Sequence, residues 1–185
     1  MKLILCSASP RRRDLLAALG LCFEILPSHV DETRRQGEPI QAYVARMAQE
    51  KSAAGARPGC AALGADTIVV AGEEVLGKPR DRSEAERMLR RLSGIEHRVI
   101  TAVAIAGVRV LAVTTLVKFA ALSGAQIRWL VESGDGDDKA GAYAAQGLAG
   151  AFIERIEGSF TNVVGLPLAE TVKLLEEAGV ELPWR

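Results

Sequence analysis

The sequence lacks any excess of charge, because its 23 Lys and Arg residues match its 23 Asp and Glu residues. Without a strongly basic balance, we expect no nucleic-acid partner. It also lacks an apolar run near the roughly 20 residues of a membrane span, so we expect no membrane partner. The apolar start at residues 1–6 is too short and wrongly flanked for a signal peptide, and we expect none.

Cysteine and histidine are scarce and do not cluster. Cys6, Cys22 and Cys60 are odd in number and widely spaced, which is typical of reduced thiols and predicts a cytoplasmic protein. No Cys and His residues have the spacing of a zinc site. We interpret the isolated His29 and His97 as structural residues.

The composition is that of a globular protein, since 49% of the residues are hydrophobic and 25% are charged. No internal repeat, linker or low-complexity tract divides the chain, so we expect residues 1–185 to form a single domain. Strand-like and helix-like segments mix without strict alternation, which predicts an α/β fold with a mixed sheet.

The predicted elements follow from apolar periodicity and from turn residues. The predicted strands are residues 3–6, 22–26, 60–71, 75–78, 97–106, 108–119 and 151–156, and the predicted helices are residues 10–19, 39–54, 83–94, 124–132 and 167–178. The third helix is expected to begin at a capping box formed by Ser83 and Glu86. Residues 27–37 and 157–167 are predicted to be loops.

The stretch of residues 2–16 brings several anion-binding groups to one corner. A short buried strand leads to Ser7, then to Pro10, which suits the first turn of a helix, and to Arg11 and Arg12. Cations at a helix N-terminus oppose the helix dipole, and a bound anion would reverse that penalty. We therefore predict a phosphate-binding corner. The alternative is a solvated basic turn.

Two charged residues fall where the apolar pattern predicts burial. Lys51 continues the spacing of the apolar stripe in the helix over residues 39–54, so its ammonium group either extends past the stripe or reaches into a cleft. Asp66 interrupts the apolar run of residues 60–71, where a carboxylate is unfavourable without partners. It is either a hydrogen-bonded structural residue or, as we favour, a functional carboxylate.

Taken together, the dispersed polar groups favour hydrolysis of a phosphoanhydride. Cations would neutralise a polyphosphate, while carboxylates would hold a divalent metal and activate a water molecule. The cations are Arg11, Arg12, Lys51, Lys78 and Lys139, and the carboxylates are Glu32 and Asp66.

A different enzyme is suggested by Cys6 and Arg12. The spacing Cys6-x5-Arg12 lies between a strand and a helix, which is the layout of a cysteine-based phosphatase with an activated thiolate. Against this, Pro10 removes one N–H group from the cradle, and no glycine lets the loop curl around a phosphate. We keep this phosphatase as an alternative.

In order and spacing, these motifs resemble the Maf family of nucleoside triphosphate pyrophosphatases, once described as septum-formation inhibitors. The resemblance covers nearly the whole chain. The matching segments are Ser7-x-Ser9-Pro10-Arg11-Arg12, Val30-Asp31-Glu32, Gln49-Glu50-Lys51, Gly64-Ala65-Asp66-Thr67, Gly77-Lys78-Pro79, Asp138-Lys139-Ala140-Gly141-Ala142-Tyr143 with Gln146-Gly147, and Gly158-Ser159 with Asn162 and Val164-Gly165-Leu166-Pro167. The segment of residues 133–137 is the least like the family.

The resemblance implies an elongated mixed sheet flanked by helices, in two lobes around a central cleft, like that of inosine triphosphate pyrophosphatases. It implies cleavage of a nucleoside triphosphate to the monophosphate and pyrophosphate, with Mg²⁺ or Mn²⁺, to remove unwanted nucleotides from the pool. By motif matching, Asp66 is the expected general base and holds the metal together with Glu32. The expected substrate-binding residues are Ser7, Arg11, Arg12, Lys51, Thr67, Lys78 and Gln146.

Three positions resemble the branch of the family that acts on dTTP and UTP. This branch has a second Arg after the Pro-Arg, a Thr after the strand Asp and a Gln after the Lys-Ala-Gly block, and the chain has Arg12, Thr67 and Gln146 there. The alternative for Thr67 and Gln146 is that they only brace the cleft. A non-catalytic, nucleotide-binding regulator of cell division stays open as a further hypothesis, and so does the oligomeric state, with a homodimer as one option.

Overall fold

The computed structural model describes residues 1–184 and shows an α/β protein with a mixed, seven-stranded sheet flanked by helices. The strands are β1 (Lys2–Leu5), β2 (Phe23–Ile25), β3 (Cys60–Ala71), β4 (Glu74–Leu76), β5 (Glu96–Ile105), β6 (Arg109–Phe119) and β7 (Ile153–Glu157). Their order is β2-β1-β3-β5-β6-β7, and β4 pairs with β3 off this path. β1 is parallel to β2 and β3, whereas the β3–β4 and β6–β7 pairs are antiparallel. The predicted fold class and mixed sheet are confirmed.

The helices lie close to their predicted positions, with one addition. They are α1 (Pro10–Ala17), α2 (Ile40–Ala54), α3 (Arg82–Leu92), α4 (Gly124–Ser133), α5 (Phe160–Val164) and α6 (Leu168–Glu177), and two short 3-10 segments span Ala140–Ala142 and Leu148–Phe152. The short helix α5 falls in a segment that was predicted to be a loop. Within residues 1–184, no helix combines the length and the apolar character needed to span a membrane.

The predicted capping box of α3 is wrong. The helix is capped by Asp81, whose carboxylate accepts a hydrogen bond from the backbone N–H of Glu84 at 2.8 Å. Asp81 and Glu84 have the same three-residue spacing as Ser83 and Glu86, so the sequence offers the motif in two registers. The carboxylate of Glu84 accepts a hydrogen bond from the backbone N–H of Arg80 instead of closing a box.

The chain divides into two compact units, and each is built from separate segments. Unit 1 comprises Met1–Asp66, Thr101–Val113 and Gly165–Arg185, and unit 2 comprises Thr67–Ile100 and Thr114–Val164. The chain passes from one unit to the other within β3, β5 and β6, and once more between α5 and α6. The first of these crossings follows Asp66 directly.

Unit 1 is organised by the alternation of side chains along β1 and β3. Odd-numbered residues of both strands pack with apolar residues of α1 and α6, whereas Ile4, Cys6 and Ala62 form a smaller cluster on the other face. The largest fully buried side chains of the first cluster are Leu5, Leu16, Leu63, Leu166 and Leu174.

Unit 2 contains a buried aromatic cluster of His97, Phe119 and Tyr143. The three rings pack edge to face, with centroids 4.9 to 5.6 Å apart. His97 Nε2 lies 2.8 Å from the hydroxyl of Tyr143, and His97 Nδ1 is buried without a hydrogen-bond partner among the residues described. Burial lowers the pKa of His97 from 6.5 to about 4. The imidazole is therefore uncharged in the folded protein at neutral pH.

Acid should destabilise the protein through His97. Unfolding returns the pKa of His97 from about 4 to its ordinary value of 6.5. As the pH falls, the unfolded chain therefore binds a proton at His97 before the folded chain does. The contribution of neutral His97 to the free energy of unfolding is complete above pH 6.5 and is lost as the pH falls toward 4. This shift in pKa corresponds to about 3 kcal/mol of the free energy of unfolding. Urea unfolding near pH 4 and at neutral pH should show a smaller acid loss for His97→Gln than for the unmodified chain.

His29→Gln provides the control for this measurement, because His29 is exposed. It should lose as much stability in acid as the unmodified chain. Equal losses for the His97 variant and the unmodified chain would show that other groups cause the acid sensitivity.

Candidate active site

The segment after β1 forms the predicted polar corner. The hydroxyl oxygen of the buried Ser7 accepts hydrogen bonds from the backbone N–H of Ser9 and from Arg12 Nη1, both at 3.2 Å. Arg12 Nε donates to the carbonyl oxygen of Gly165 at 2.8 Å. Burial lowers the pKa of Arg12, while the nearby carboxylate of Asp66 raises it. The guanidinium of Arg12 is thus fixed in orientation, close to Asp66 and Arg11.

Lys51 lies between two carboxylates. Its Nζ is 2.6 Å from Glu32 Oε1 and 2.7 Å from Asp66 Oδ1. Lys51 and Asp66 are only 8% and 9% exposed, so the lysine reaches into the protein and does not extend past the apolar stripe. Of the two interpretations that the sequence left open for Lys51, the structure supports the inward one. Asp66 is a buried carboxylate with a cationic partner.

The contact between Lys51 and Asp66 depends on a close approach of α2 to β3. A Cβ atom on Gly64 would lie 2.3 Å from the carbonyl oxygen of Ala48 and 2.4 Å from the backbone nitrogen of Ser52. Only glycine leaves room for a helix backbone at this distance. Because side chains alternate along a strand, Asp66 faces the same way as the missing Cβ of Gly64, toward α2.

Three of the predicted substrate-binding residues belong to unit 2. Thr67 is half-buried on β3, and Lys78 and Gln146 are exposed. The carbonyl oxygen of Gly77 accepts a hydrogen bond from the backbone N–H of Gly141 at 3.0 Å. This bond ties the turn that carries Lys78 to the Lys-Ala-Gly block.

Two residues next to predicted site residues were missed by the sequence analysis. In unit 2, Asp135 Oδ2 accepts a hydrogen bond from the backbone N–H of Leu148 at 3.1 Å, next to the segment that carries Gln146. A Cβ atom on Gly147 would lie 2.0 Å from the same carboxylate oxygen. Gly147 was the available signal, since a glycine in such a segment indicates the close approach of another group. In unit 1, the sequence analysis missed Arg46 of α2, which donates hydrogen bonds to Glu38 Oε1 at 2.7 Å and to the carbonyl oxygen of Thr33 at 3.1 Å, next to Glu32.

Cys6 does not fit the cysteine-based phosphatase. Its side chain is fully buried, and its Sγ would lie 2.3 Å from a Cβ atom on Gly55, so the thiol faces the end of α2. Burial raises the pKa of the Cys6 thiol, whereas a nucleophilic cysteine needs a lowered one. The expectation of an activated thiolate is therefore wrong, because the strand buries Cys6 among apolar residues.

The donor set of this site suits a metal ion that is bound partly by its substrate. Among residues 1–184, no group of three or more His, Cys, Asp and Glu side chains is arranged to hold a metal ion. Glu32 and Asp66 nevertheless converge on one ammonium group. Mg²⁺ binds carboxylate oxygens and is commonly held by one or two carboxylates together with substrate phosphates. The two residues fit that mode and do not form a complete metal cage.

Comparison with known proteins identifies the family. The model of the family described as "Maf-like protein" matches residues 2–178. The chain belongs to the Maf family. The dTTP/UTP pyrophosphatase of Anaeromyxobacter dehalogenans strain 2CP-1 is 56% identical over 190 aligned positions, which cover 99% of this chain and 97% of the relative. The dTTP/UTP pyrophosphatase of Myxococcus xanthus strain DK1622 is 54% identical, and the alignment covers 99% of this chain and 95% of that relative.

Among solved structures, the chain is similar to a nucleoside-triphosphatase, also described as a dITP/XTP pyrophosphatase, from Mycobacterium abscessus. The TM-score is 0.42 and the sequence identity is 13%, with 97% of this chain and 96% of that chain covered.

Removal of the Lys51 ammonium group should destabilise the protein, because Asp66 would lose its partner while remaining buried. We expect Lys51→Met to lower the free energy of unfolding by about 2–4 kcal/mol. The second substitution in Lys51→Met/Asp66→Asn should recover part of this loss. The exposed Lys173 on α6 offers a matched control, since Lys173→Met should stay within about 0.5 kcal/mol of the unmodified chain. Denaturant titrations measure all three variants, and an unchanged stability of Lys51→Met would contradict the pairing.

Proposed function

We propose that this Maf-family protein hydrolyses dTTP and UTP to the nucleoside monophosphates and pyrophosphate, with Mg²⁺ or Mn²⁺. The observation that carries the proposal is the convergence of Lys51 with Glu32 and Asp66 in unit 1, close to Arg12. Cations beside paired carboxylates suit hydrolysis of a triphosphate. The names of relatives at 56% and 54% identity support the same substrates.

Each group near Asp66 has a role in this proposal. Ser7 already accepts two hydrogen bonds, so its own O–H can donate to a phosphate oxygen. Arg11, Arg12 and Lys51 bind the negative charge of the triphosphate. The family resemblance assigns phosphate binding to Lys78 as well. Asp66 accepts the proton of the attacking water as the general base.

A divalent metal held by Glu32 and Asp66 would supply positive charge to the phosphates. Lys51 orients both carboxylates through its hydrogen bond to Asp66 and its contact with Glu32. Because Asp66 is nearly buried, its position is set by the protein before substrate arrives, and preorganised groups of this kind need little rearrangement during the reaction.

The base is proposed to be recognised by Arg12, Thr67 and Gln146. A pyrimidine such as uracil or thymine offers O2, N3–H and O4, which a guanidinium, a hydroxyl and an amide can pair with. A site built on such bonds discriminates against a base that leaves its polar groups unpaired. The proposed role is removal of unwanted nucleotides in the cytoplasm, in keeping with the free thiols of Cys6, Cys22 and Cys60.

The reaction can be tested by its products and by two matched variants. Pyrophosphate and a monophosphate should form only with divalent metal. Asp66→Asn should slow turnover by about 10²- to 10⁴-fold, because it keeps the size of the side chain but loses the base. Cys6→Ser should leave turnover nearly unchanged. Orthophosphate release in the presence of chelator, or loss of activity in Cys6→Ser alone, would contradict the mechanism. Nucleotide binding without any turnover would favour the non-catalytic regulator.

Substrate preference provides a separate test of base recognition. Measured with a panel of triphosphates, kcat/KM should be higher for dTTP and UTP than for ATP, GTP and 7-methyl-GTP. Gln146→Ala should reduce this preference more than it slows the best substrate, because the phosphate contacts stay in place. Equal turnover of purine triphosphates by the unmodified chain would refute the pyrimidine assignment and leave the hydrolysis of triphosphates untouched.

A further inference from the structure

The position of Glu32 needs an explanation, because the loop that carries it has little structure of its own. Residues 26–39 connect β2 to α2 without a helix or strand, and residues 31–37 are all exposed. An exposed loop of this length gains little from burial, and fixing its backbone costs conformational entropy. Other contacts must therefore hold the Glu32 carboxylate at 2.6 Å from Lys51.

Helix α2 supplies these contacts from the two turns that precede Lys51. The hydroxyl of Tyr43 donates a hydrogen bond to the carbonyl oxygen of Glu32 at 2.8 Å. Arg46 Nη2 donates to the carbonyl oxygen of the next residue, Thr33, at 3.1 Å. The backbone is thus fixed at Glu32 itself and at the residue after it.

The other end of the loop is held by an ion pair between Arg46 and Glu38. Arg46 Nε and Nη2 donate to the two carboxylate oxygens of Glu38 at 2.7 and 2.8 Å, which is a bidentate geometry. The two side chains are only 14% and 9% exposed, so solvent screens the pair weakly. Hydrogen bonding from Arg46 lowers the pKa of Glu38 to about 2, and the pair stays charged at neutral pH.

Two further hydrogen bonds from within the loop also end at Glu38. Glu38 Oε2 also accepts a hydrogen bond from the backbone N–H of Arg35 at 3.0 Å, and the Glu38 carbonyl oxygen accepts one from Arg34 Nε at 2.9 Å. Arg46 Nη1 lies 3.2 Å from Glu50 Oε1 one turn further along α2. One guanidinium group therefore joins the helix to two points of the loop, at Thr33 and Glu38.

We propose that Arg46 is a positioning residue, which binds the loop of residues 26–39 to α2 and thereby presents the Glu32 carboxylate to Lys51 and to the metal. Tyr43, Arg46 and Glu50 share one side of α2, at the spacing of successive helical turns, and Lys51 directly follows Glu50. The proposal rests on the metal-binding role proposed above for Glu32. It predicts that Arg46 acts on metal use through the loop without touching the metal or the nucleotide.

The test compares Arg46→Met and Arg46→Lys with Arg57→Met. Arg57 is a suitable control, because it forms an exposed ion pair with Glu24 in the same unit. We expect Arg46→Met to raise the Mn²⁺ concentration for half-maximal turnover by about tenfold or more. Arg46→Lys should recover part of this effect, since an ammonium group can bind one carboxylate oxygen but cannot bind both in parallel. Arg57→Met should match the unmodified chain.

A second measurement does not depend on activity. Arg34 and Arg35 are exposed trypsin sites within the loop. Cleavage after these residues should be faster in Arg46→Met than in the unmodified chain and in Arg57→Met, while the thermal unfolding of the remaining protein stays cooperative. Unchanged metal requirement together with unchanged cleavage in Arg46→Met would overturn the proposal.

Further variants separate this inference from the proposed function. If Arg46→Met does not fold, Glu38→Gln removes the same ion pair with a smaller change and should also raise the metal requirement and speed cleavage. A normal metal requirement in Glu32→Gln would refute the role of Glu32. If Glu32→Gln raises the metal requirement but Arg46→Met and Glu38→Gln both leave it normal, the role of Arg46 is refuted and the role of Glu32 stands.

Discussion

The rest of the candidate site depends on the ammonium group of Lys51, held between Glu32 and Asp66. A carboxylate inside an apolar strand is unfavourable unless a cation lies beside it, and Lys51 lies 2.7 Å from Asp66. This contact requires α2 to approach the backbone of β3 closely, which Gly64 permits. The second contact of Lys51, with Glu32, requires that an exposed loop hold Glu32 in place, and the contacts of Arg46 with that loop explain how it does so.

The same arrangement explains how the site can take up a highly charged substrate. Before binding, the positive charges of Lys51 and Arg12 lie near the negative charges of Glu32 and Asp66. In the proposed reaction, phosphate oxygens would add negative charge beside these cations, and a divalent metal would add positive charge beside the carboxylates. The positive and negative charges would thus stay balanced, and no buried charge would be left without a partner. Removal of a single member, as in Lys51→Met, breaks this balance.

How much the sequence alone could predict depended on whether a residue broke a local pattern. Lys51 on an apolar stripe and Asp66 in an apolar strand are such breaks, and both indicated the site. Glu32 lies in a polar loop, where one more carboxylate is common. The residues alone offered it as a candidate carboxylate together with Asp66, and the family resemblance gave it a role at the metal. Arg46 could not be recognised from the sequence, because its contacts with Thr33 and Glu38 depend on the conformation of a loop. The start of α3 was misplaced because two caps with equal spacing overlap.

Most of the proposed roles divide between the two units, with Lys78 as an exception, because it lies in unit 2 but is assigned to the phosphates. Residues assigned to the metal and to proton transfer belong to unit 1, whereas Thr67 and Gln146, assigned to the base, belong to unit 2. Arg12 is assigned to both tasks and lies in unit 1, where its orientation is fixed by Ser7 and by the backbone of Gly165. Base preference should therefore respond to changes in unit 2 that leave the charges around Lys51 intact, whereas a change at Arg12 should alter preference and rate together.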